Sequence, residues 1–202
     1  MRVNLEKTVI GAKEIEFLGF MISGYGIRRS PKKLKALKRM TVLKNKTDVR
    51  KFLGMANYLR QYIPQYAERA KPLTMLIRRE VDFQWTEKEK KSVAEIISVL
   101  EKETCLEHPR EDCDLHLFTD ASDVGIGGAL LQFRKDDKEL KYPGVISFMS
   151  KTLTQQESGH TTTAKEAYAI FYCISKSEFY LRGREFVLHT DHMNLKFLET
   201  TS

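Results

Sequence analysis

The spacing of hydrophobic positions changes near residue 113 and divides the sequence into two parts. Before this point, apolar residues recur every three or four positions, as between Val49 and Ile63, which is the period of helices. After it, short apolar runs are bounded by Gly, Asp, Lys or Pro, which is typical of strands. These runs cover 115–119, 125–132 and 145–149. The pattern predicts a helical region followed by a strand-rich domain.

In the first part of the chain, residues that cap or interrupt helices indicate where the predicted helices begin and end. Ser30 is expected to N-cap a first helix that begins at Pro31, because proline is favoured at the first helical position. Thr47 is the expected cap of a second helix. A short third helix is expected over 66–70, with Pro72 separating it from the residues that follow.

The elements of the second part follow an order suited to a mixed α/β domain. Thr86 and Glu89 have the spacing of a capping box, which predicts a helix leading towards that domain. Its three strands are followed by a helix over 161–175, a strand over 186–190 and a helical start over 194–198. We therefore predict an α/β fold in which a small helical subdomain precedes a mixed-sheet domain.

Composition narrows the class of protein. The chain has 202 residues, of which 42% are hydrophobic and 30% charged, so it carries enough apolar surface for a packed core. No apolar run approaches the roughly 18 residues that cross a bilayer, and the first residues lack a secretory signal. The three cysteines form no Cys-x-x-Cys pair. We expect an intracellular protein with reduced thiols and no membrane partner.

The positive charge of the chain is concentrated in one block. The net charge is +7, yet residues 28–46 alone carry nine basic residues and no acidic one, which leaves −2 for the remainder. They are Arg28, Arg29, Lys32, Lys33, Lys35, Lys38, Arg39, Lys44 and Lys46. Such a block predicts contact with nucleic-acid phosphates. The alternative is a solvated helix face.

Two aspartates follow strands that could be neighbours. Asp120 ends the first predicted strand of the sheet and Asp191 ends the last. If these strands lie side by side in parallel, both carboxylates meet at one sheet edge, where α/β domains often place their chemistry. The alternative for each is an aspartate that only forms a turn.

Glu166 is a third candidate, because its helical neighbours are apolar. On the predicted helix it shares a face with Ile170 and Cys173, and a carboxylate turned towards a core needs a cation. Alternatively, Thr163 and Glu166 form a capping box that exposes Glu166 at the first turn.

Three such carboxylates would repel one another unless divalent cations neutralise them. Asp120, Glu166 and Asp191 offer the hard oxygen ligands that suit two Mg²⁺ ions, with Mn²⁺ as a substitute, and such ions can activate water against a phosphodiester. A competing zinc site pairs Cys105 with His108 and Cys113 with His116. It is disfavoured because Cys113 and His116 lie in or beside a predicted strand, which gives four ligands within twelve residues poor tetrahedral geometry. His160, His189 and His192 could each shuttle protons, and His192 is preferred because it adjoins Asp191. The alternative for each is an ordinary surface or partly buried histidine.

Several motifs together resemble a known family in the right order along the chain. They are EFLGFMIS at 16–23, VRKFLGMANYLR at 49–60, PLT at 72–74, FQWT at 83–86, TDAS at 119–122, GIG at 125–127, KE at 165–166 and TDH at 190–192. With them the chain resembles, nearly end to end, the Pol polyprotein of gypsy-type LTR retrotransposons.

The resemblance implies a division of the chain and a function for each part. Residues 1–27 correspond to the edge of the polymerase palm, 28–82 to a helical thumb, 83–112 to a connector and 113–202 to a ribonuclease H-like domain. The thumb is then expected to bind a template-primer duplex, while Asp120, Glu166 and Asp191 match three metal-binding catalytic carboxylates that cleave the RNA strand of RNA-DNA hybrids. The rest of the Pol polyprotein is an expected partner, in a cytoplasmic particle or the nucleus.

The resemblance also implies missing parts. The polymerase aspartates of the family would lie before Met1, so we expect no polymerase activity, and the last strand, closing helix and fourth acidic residue would follow Ser202. An alternative is an inactive or domesticated remnant that binds nucleic acid without cleaving it. An integrase or transposase core would run Asp, Asp, Glu along the chain, whereas the order here is Asp, Glu, Asp.

Overall fold

The computed structural model describes residues 8–40, 42–137 and 139–191. The helical start expected over 194–198 and the candidate His192 lie outside these residues. No helix within the described ranges is long and apolar enough to cross a lipid bilayer. Helices and two four-stranded sheets give the expected α/β architecture.

The first sheet begins with a three-stranded meander. Strands β1 (Glu14–Phe17), β2 (Phe20–Ser23) and β3 (Gly26–Arg29) are antiparallel neighbours. A fourth strand, β4 (Leu106–Glu107), adds to β3 from much later in the chain. The sheet therefore ties the start of the described chain to the segment that leads into the second sheet.

Four helices, which lie between β3 and β4 along the chain, pack into one hydrophobic core. They are α1 (Pro31–Lys38), α2 (Lys46–Tyr58), α3 (Tyr66–Leu76) and α4 (Glu87–Glu101), with a 3₁₀ turn at Arg60–Tyr62. Phe52, Leu73 and Ile96 are among the fully buried residues of this core. Because α4 shares this core with α2 and α3, the helices α1 to α4 form one unit, which we call the helical body.

The helix boundaries confirm some of the expected caps and correct others. Ser30 precedes α1 as predicted, although its hydroxyl donates to Glu16 Oε1 at 2.6 Å instead of capping the helix. The prediction for α2 was wrong: Asn45 is its cap, because the Asn45 side chain accepts from the backbone of Asp48. The third helix continues through Pro72 to Leu76. The capping box of α4 is present.

The second sheet has the order β7-β6-β5-β8. Its strands are β5 (Cys113–Ala121), β6 (Gly125–Arg134), β7 (Gly144–Thr152) and β8 (Phe186–His189). The pairs β5–β6 and β6–β7 are antiparallel, whereas β8 lies parallel to β5. A short helix α5 (Gln155–Ser158) and the long helix α6 (Thr162–Leu181) connect β7 to β8. The order of strands and helices along the chain agrees with the prediction.

Partly buried hydrogen bonds join the second sheet to α3 and to the chain before β5. The side chain of Gln132 is 2% exposed, and its amide donates to Glu107 Oε2 at 2.8 Å and to the His108 carbonyl at 3.1 Å. Its oxygen accepts from the backbone N–H of Arg110. At a second contact the backbone N–H of Ala67 donates to Ser150 Oγ at 2.9 Å. These bonds fix α3 and the chain before β5 against the sheet.

Helix α6 approaches the sheet closely where β6 has a glycine. A Cβ on Gly128 would lie 2.5 Å from the carbonyl oxygen of Phe118 and 2.7 Å from Cys173 Sγ. Both contacts are too short for a carbon atom, so any side chain there would push α6 away from the sheet. Gly54 in α2 is the opposite case, since a Cβ there meets nothing within 4 Å.

These two glycines give a matched test of the packing of α6. We expect Gly128→Ala to lower the free energy of unfolding by about 1–3 kcal/mol, because it overpacks the space between β6 and α6. Gly54→Ala should raise it by about 0.5–1 kcal/mol, because alanine is the better helix former. Urea unfolding of both variants measures the difference. Equal effects of the two substitutions would contradict the close packing of α6.

Candidate functional site

Three carboxylates meet at one edge of the second sheet. Asp120 is the penultimate residue of β5, and Asp191 follows the end of β8 by two residues. The parallel register pairs Phe118 with His189, which places both aspartates at the same end of neighbouring strands. Asp120, Glu166 and Asp191 each offer an oxygen, and these oxygens all lie within 4.8 Å of one another. The structure thus brings together all three predicted acidic residues.

Helix α6 turns Glu166 inward. The helix is N-capped by Thr161, whose side chain accepts from the backbone of Ala164. Thr163 therefore lies inside the helix, and the alternative in which it caps the helix and exposes Glu166 is wrong. Glu166 is only 3% exposed and lies on the face that also carries the buried residues Ala169 and Cys173.

The donor set fits a divalent hard cation. Within the described ranges, Asp120, Glu166 and Asp191 are the only group of three or more His, Cys, Asp or Glu side chains that could hold a metal ion. Three carboxylate oxygens at this separation repel one another, and one of them is buried. Oxygen donors of this kind are the ligands that Mg²⁺ and Mn²⁺ prefer. Glu166 would be the fixed ligand, with the exposed Asp120 and Asp191 at the rim.

The four residues of the disfavoured zinc site do not come together in the structure. His108 Nε2 lies 3.0 Å from the Ser23 carbonyl oxygen, and Cys113 Sγ lies 3.0 Å from the Arg110 guanidinium. His116, inside β5, contacts His189 instead of the cysteines. The strand spreads these residues apart, so they do not converge on one point.

The carboxylates lie between two recesses of the surface. One has a volume of about 380 Å³ and is bounded by the start of α3 on one side and by Asp120, Phe118 and Phe148 on the other. The second, of about 520 Å³, is lined by residues around the end of β8, including Asp191. Asp120 and Asp191 are therefore open to a large ligand that crosses the sheet edge.

Two histidines form a pair next to the site, and their contact is not predicted by the sequence. His116 Nδ1 lies 2.8 Å from His189 Nε2, and the ring of His189 stacks on Phe118 at 4.0 Å between centroids. Burial lowers the pKa of both imidazoles, and for His116 the neighbouring His189 lowers it further. The two rings share one face of the sheet only because β5 and β8 are in register, which sequence spacing does not reveal.

The predicted basic block is divided by the fold. Arg29 is 8% exposed and burial lowers its pKa, so the expectation that it contacts phosphate on the surface is corrected: β3 turns it inward. Three other members form ion pairs with acids distant in sequence. These pairs are Arg28 with Glu14, Lys32 with Glu16 and Lys38 with Glu101. The block lacks acids of its own, but β1 and α4 supply them.

The rest of the block remains available on the surface of the helical body. Lys33, Lys35, Arg39 and Lys44 are exposed and form no ion pair with any described residue. Lys33 lies over the ring of Tyr58, with Nζ 5.4 Å from the centroid.

Basic residues of α2 and of the segment that follows α3 extend this surface. Lys46 Nζ donates to the Arg78 carbonyl at 2.6 Å, and Arg50 donates to the Ile77 carbonyl. These contacts place Lys46 and Arg50 beside the exposed Arg78 and Arg79, which follow the end of α3. Sequence spacing does not indicate Arg50, Arg78 and Arg79, because only the packing of α2 against α3 and the residues after it brings them next to the block.

Comparison with known proteins gives a family match and relatives that align along almost the whole of this chain. The model of an RNase H-like domain found in reverse transcriptase matches residues 85–188, which include α4, the second sheet and α6. The retrovirus-related Pol polyprotein from transposon opus of Drosophila melanogaster is 33% identical over 209 residues, covering 98% of this chain and 20% of that protein. The corresponding polyprotein from transposon gypsy of the same organism is 31% identical over 210 residues, covering 98% of this chain and 19% of that protein. The chain thus spans about a fifth of the length of these relatives.

A solved structure shares the fold over almost the whole chain. It is the foamy viral protease-reverse transcriptase in complex with RNA/DNA hybrid, with a TM-score of 0.74 and 22% sequence identity. The match covers 98% of this chain and 26% of that one. The same viral protein in complex with dsDNA gives a TM-score of 0.71 over 95% of this chain and 39% of that one.

Proposed function

The chain belongs to the family of RNase H-like domains found in reverse transcriptases, and we propose that it hydrolyses the RNA strand of RNA-DNA hybrids with two Mg²⁺ ions. Its relatives are Pol polyproteins of retrotransposons, so it is a reverse transcriptase and ribonuclease H-like region of a retroelement. The observation that carries the proposal is the cluster of Asp120, Glu166 and Asp191, with oxygens within 4.8 Å of one another.

Each carboxylate has a distinct part in this proposal. Divalent ions in such a site lower the pKa of bound water and stabilise the leaving oxygen of a phosphodiester. Asp120 and Asp191, on adjacent strands and exposed, would hold the ions at the edge open to substrate. Glu166, buried on α6, would hold them from the protein side.

The substrate follows from charge and from the neighbours of the fold. A divalent site between two recesses suits a phosphodiester backbone that crosses the sheet edge. The exposed cations of the helical body, including Lys35, Arg39 and Lys44, would bind phosphates of the same duplex. The foamy viral protein with this fold was solved with RNA/DNA hybrid, which supports a hybrid as the substrate.

Cleavage of a labelled RNA-DNA hybrid in Mg²⁺ tests the catalytic part of the proposal. We expect the chain to cut the RNA strand and Asp120→Asn to lose at least about 100-fold in rate, because a metal ligand is removed. Asp114→Asn is the matched control, since it is an exposed aspartate six residues earlier on the same strand and should leave the rate unchanged.

Binding measured in the same reactions separates the two candidate functions. Hybrid binding without cleavage by the unaltered chain would overturn the catalytic proposal and favour a module that only binds nucleic acid. Equal loss of cleavage in Asp114→Asn and Asp120→Asn would show that the effect does not come from the acidic cluster.

Replacing exposed cations tests the proposed duplex contact. We expect the triple variant Lys35→Gln, Arg39→Gln and Lys44→Gln to bind hybrid more weakly and to reduce the slope of log K against log salt by about 2–3, because up to three phosphate contacts are lost. Fluorescence anisotropy at several salt concentrations measures both. Lys90→Gln and Lys91→Gln on α4 provide a control, since these lysines pair with Glu87 and Glu95. An unchanged salt slope in the triple variant would refute the assigned surface.

A further inference from the structure

A buried lysine next to the acidic cluster has an unusual partner. The side chain of Lys165 is 9% exposed, and its ammonium lies 2.7 Å from Oδ1 of Asp123, whose side chain is 94% exposed. A buried ammonium loses its hydration and is retained only where a charged or polar partner compensates for that loss. Asp123 therefore pairs, from the solvent side, with a lysine whose side chain is largely buried.

Along the chain, Lys165 and Asp123 each lie close to a member of the acidic cluster. Lys165 directly precedes Glu166 in the first turns of α6, where its backbone N–H donates to the Thr161 carbonyl. Asp123 follows Asp120 by three residues, in the turn between β5 and β6. The ion pair thus links the segment that carries Glu166 to the segment that carries Asp120.

The turn that presents Asp123 is itself well fixed. The Ser122 hydroxyl oxygen accepts from the backbone N–H groups of Val124 and Gly125, both at 3.2 Å. The Ser122 backbone N–H donates to the Gly125 carbonyl at 2.8 Å. Because the turn is closed by these bonds, a contact made by Asp123 is transmitted to the end of β5.

We propose that the Lys165–Asp123 ion pair is a positioning device that holds Glu166 at the separation from Asp120 that divalent-cation binding requires. This inference rests on the proposed metal site. Successive side chains on a helix point about 100° apart, so Lys165 is directed away from Glu166 and acts on it through the backbone of α6. The ion pair holds α6 and the turn between β5 and β6 together, against the mutual repulsion of the carboxylates.

Removing the lysine distinguishes positioning from a simple charge effect. If Lys165 only contributed positive charge near the site, Lys165→Met would tighten binding of a dication. If the lysine positions Glu166, the same variant weakens binding, by about tenfold as is typical for residues that orient metal ligands. The double variant Lys165→Met, Asp123→Asn leaves the net charge unchanged, so charge alone predicts no effect and positioning predicts the same tenfold loss.

The experiment is a Mn²⁺ titration of the full chain, followed by the electron paramagnetic resonance signal of free Mn²⁺. Lys71→Met is the matched control, because Lys71 of α3 also acts on Asp123 through space but is exposed and lies outside α6. We expect its affinity to be close to that of the unaltered chain. Lys165→Arg should retain affinity, because the guanidinium can still reach Asp123.

Each outcome decides the inference. Weaker binding in both Lys165→Met and the double variant, measured where both are folded by circular dichroism, supports it. Tighter binding in Lys165→Met or unchanged binding in the double variant overturns it while leaving the metal site intact. If Lys165→Met does not fold, Lys165→Gln replaces it, because it also removes only the positive charge, so that charge alone again predicts tighter binding and positioning predicts weaker binding. Failure of the unaltered chain to bind Mn²⁺ would overturn the metal site and this inference together.

Discussion

The parallel pairing of β8 with β5 is the constraint on which the rest of the site depends. Asp120 and Asp191 are 71 residues apart in the chain, and they come together only because the two strands run in the same direction in register. The intervening chain must then cross over the sheet, and α6 makes this crossing. Close packing of α6 at Gly128 sets the depth at which Glu166 is buried beside the two aspartates.

Charge is segregated between the two parts of the molecule. The second sheet gathers negative charge at one edge, whereas the helical body carries exposed cations such as Lys35 and Lys44. A polyanion can contact both only if divalent cations neutralise the acidic edge. The buried Gln132 and the contact of Ala67 with Ser150 hold the two parts against each other, so that the distance between cationic surface and acidic edge is set by the fold.

Much of the fold and site could be predicted from local sequence signals. The capping box of α4, the order of strands and helices along the chain and the three candidate carboxylates all follow from spacing that acts within a few residues or from a motif. The cap of α2 could not be chosen so simply, because Asn45 and Thr47 are both good capping residues and only the backbone geometry selects Asn45.

What the sequence could not show depends on contacts between distant segments. The burial of Arg29 and the pairing of Lys38 with Glu101 require β3 and α4 to be placed in space first. The same is true of the His116–His189 contact across β5 and β8. The inward orientation of Glu166 was left open by helical periodicity, and the start of α6 at Thr162 decided it.

A crystal structure with bound Mn²⁺ tests whether the three carboxylates form a metal site, through the anomalous scattering of the ion. We expect anomalous peaks within about 2.6 Å of carboxylate oxygens of Asp120, Glu166 and Asp191, since ligand oxygens lie at about 2.0–2.6 Å from such ions. We also expect β8 to remain parallel to β5. The absence of any peak at this edge at saturating Mn²⁺, or a peak bound by other residues, would contradict the metal site.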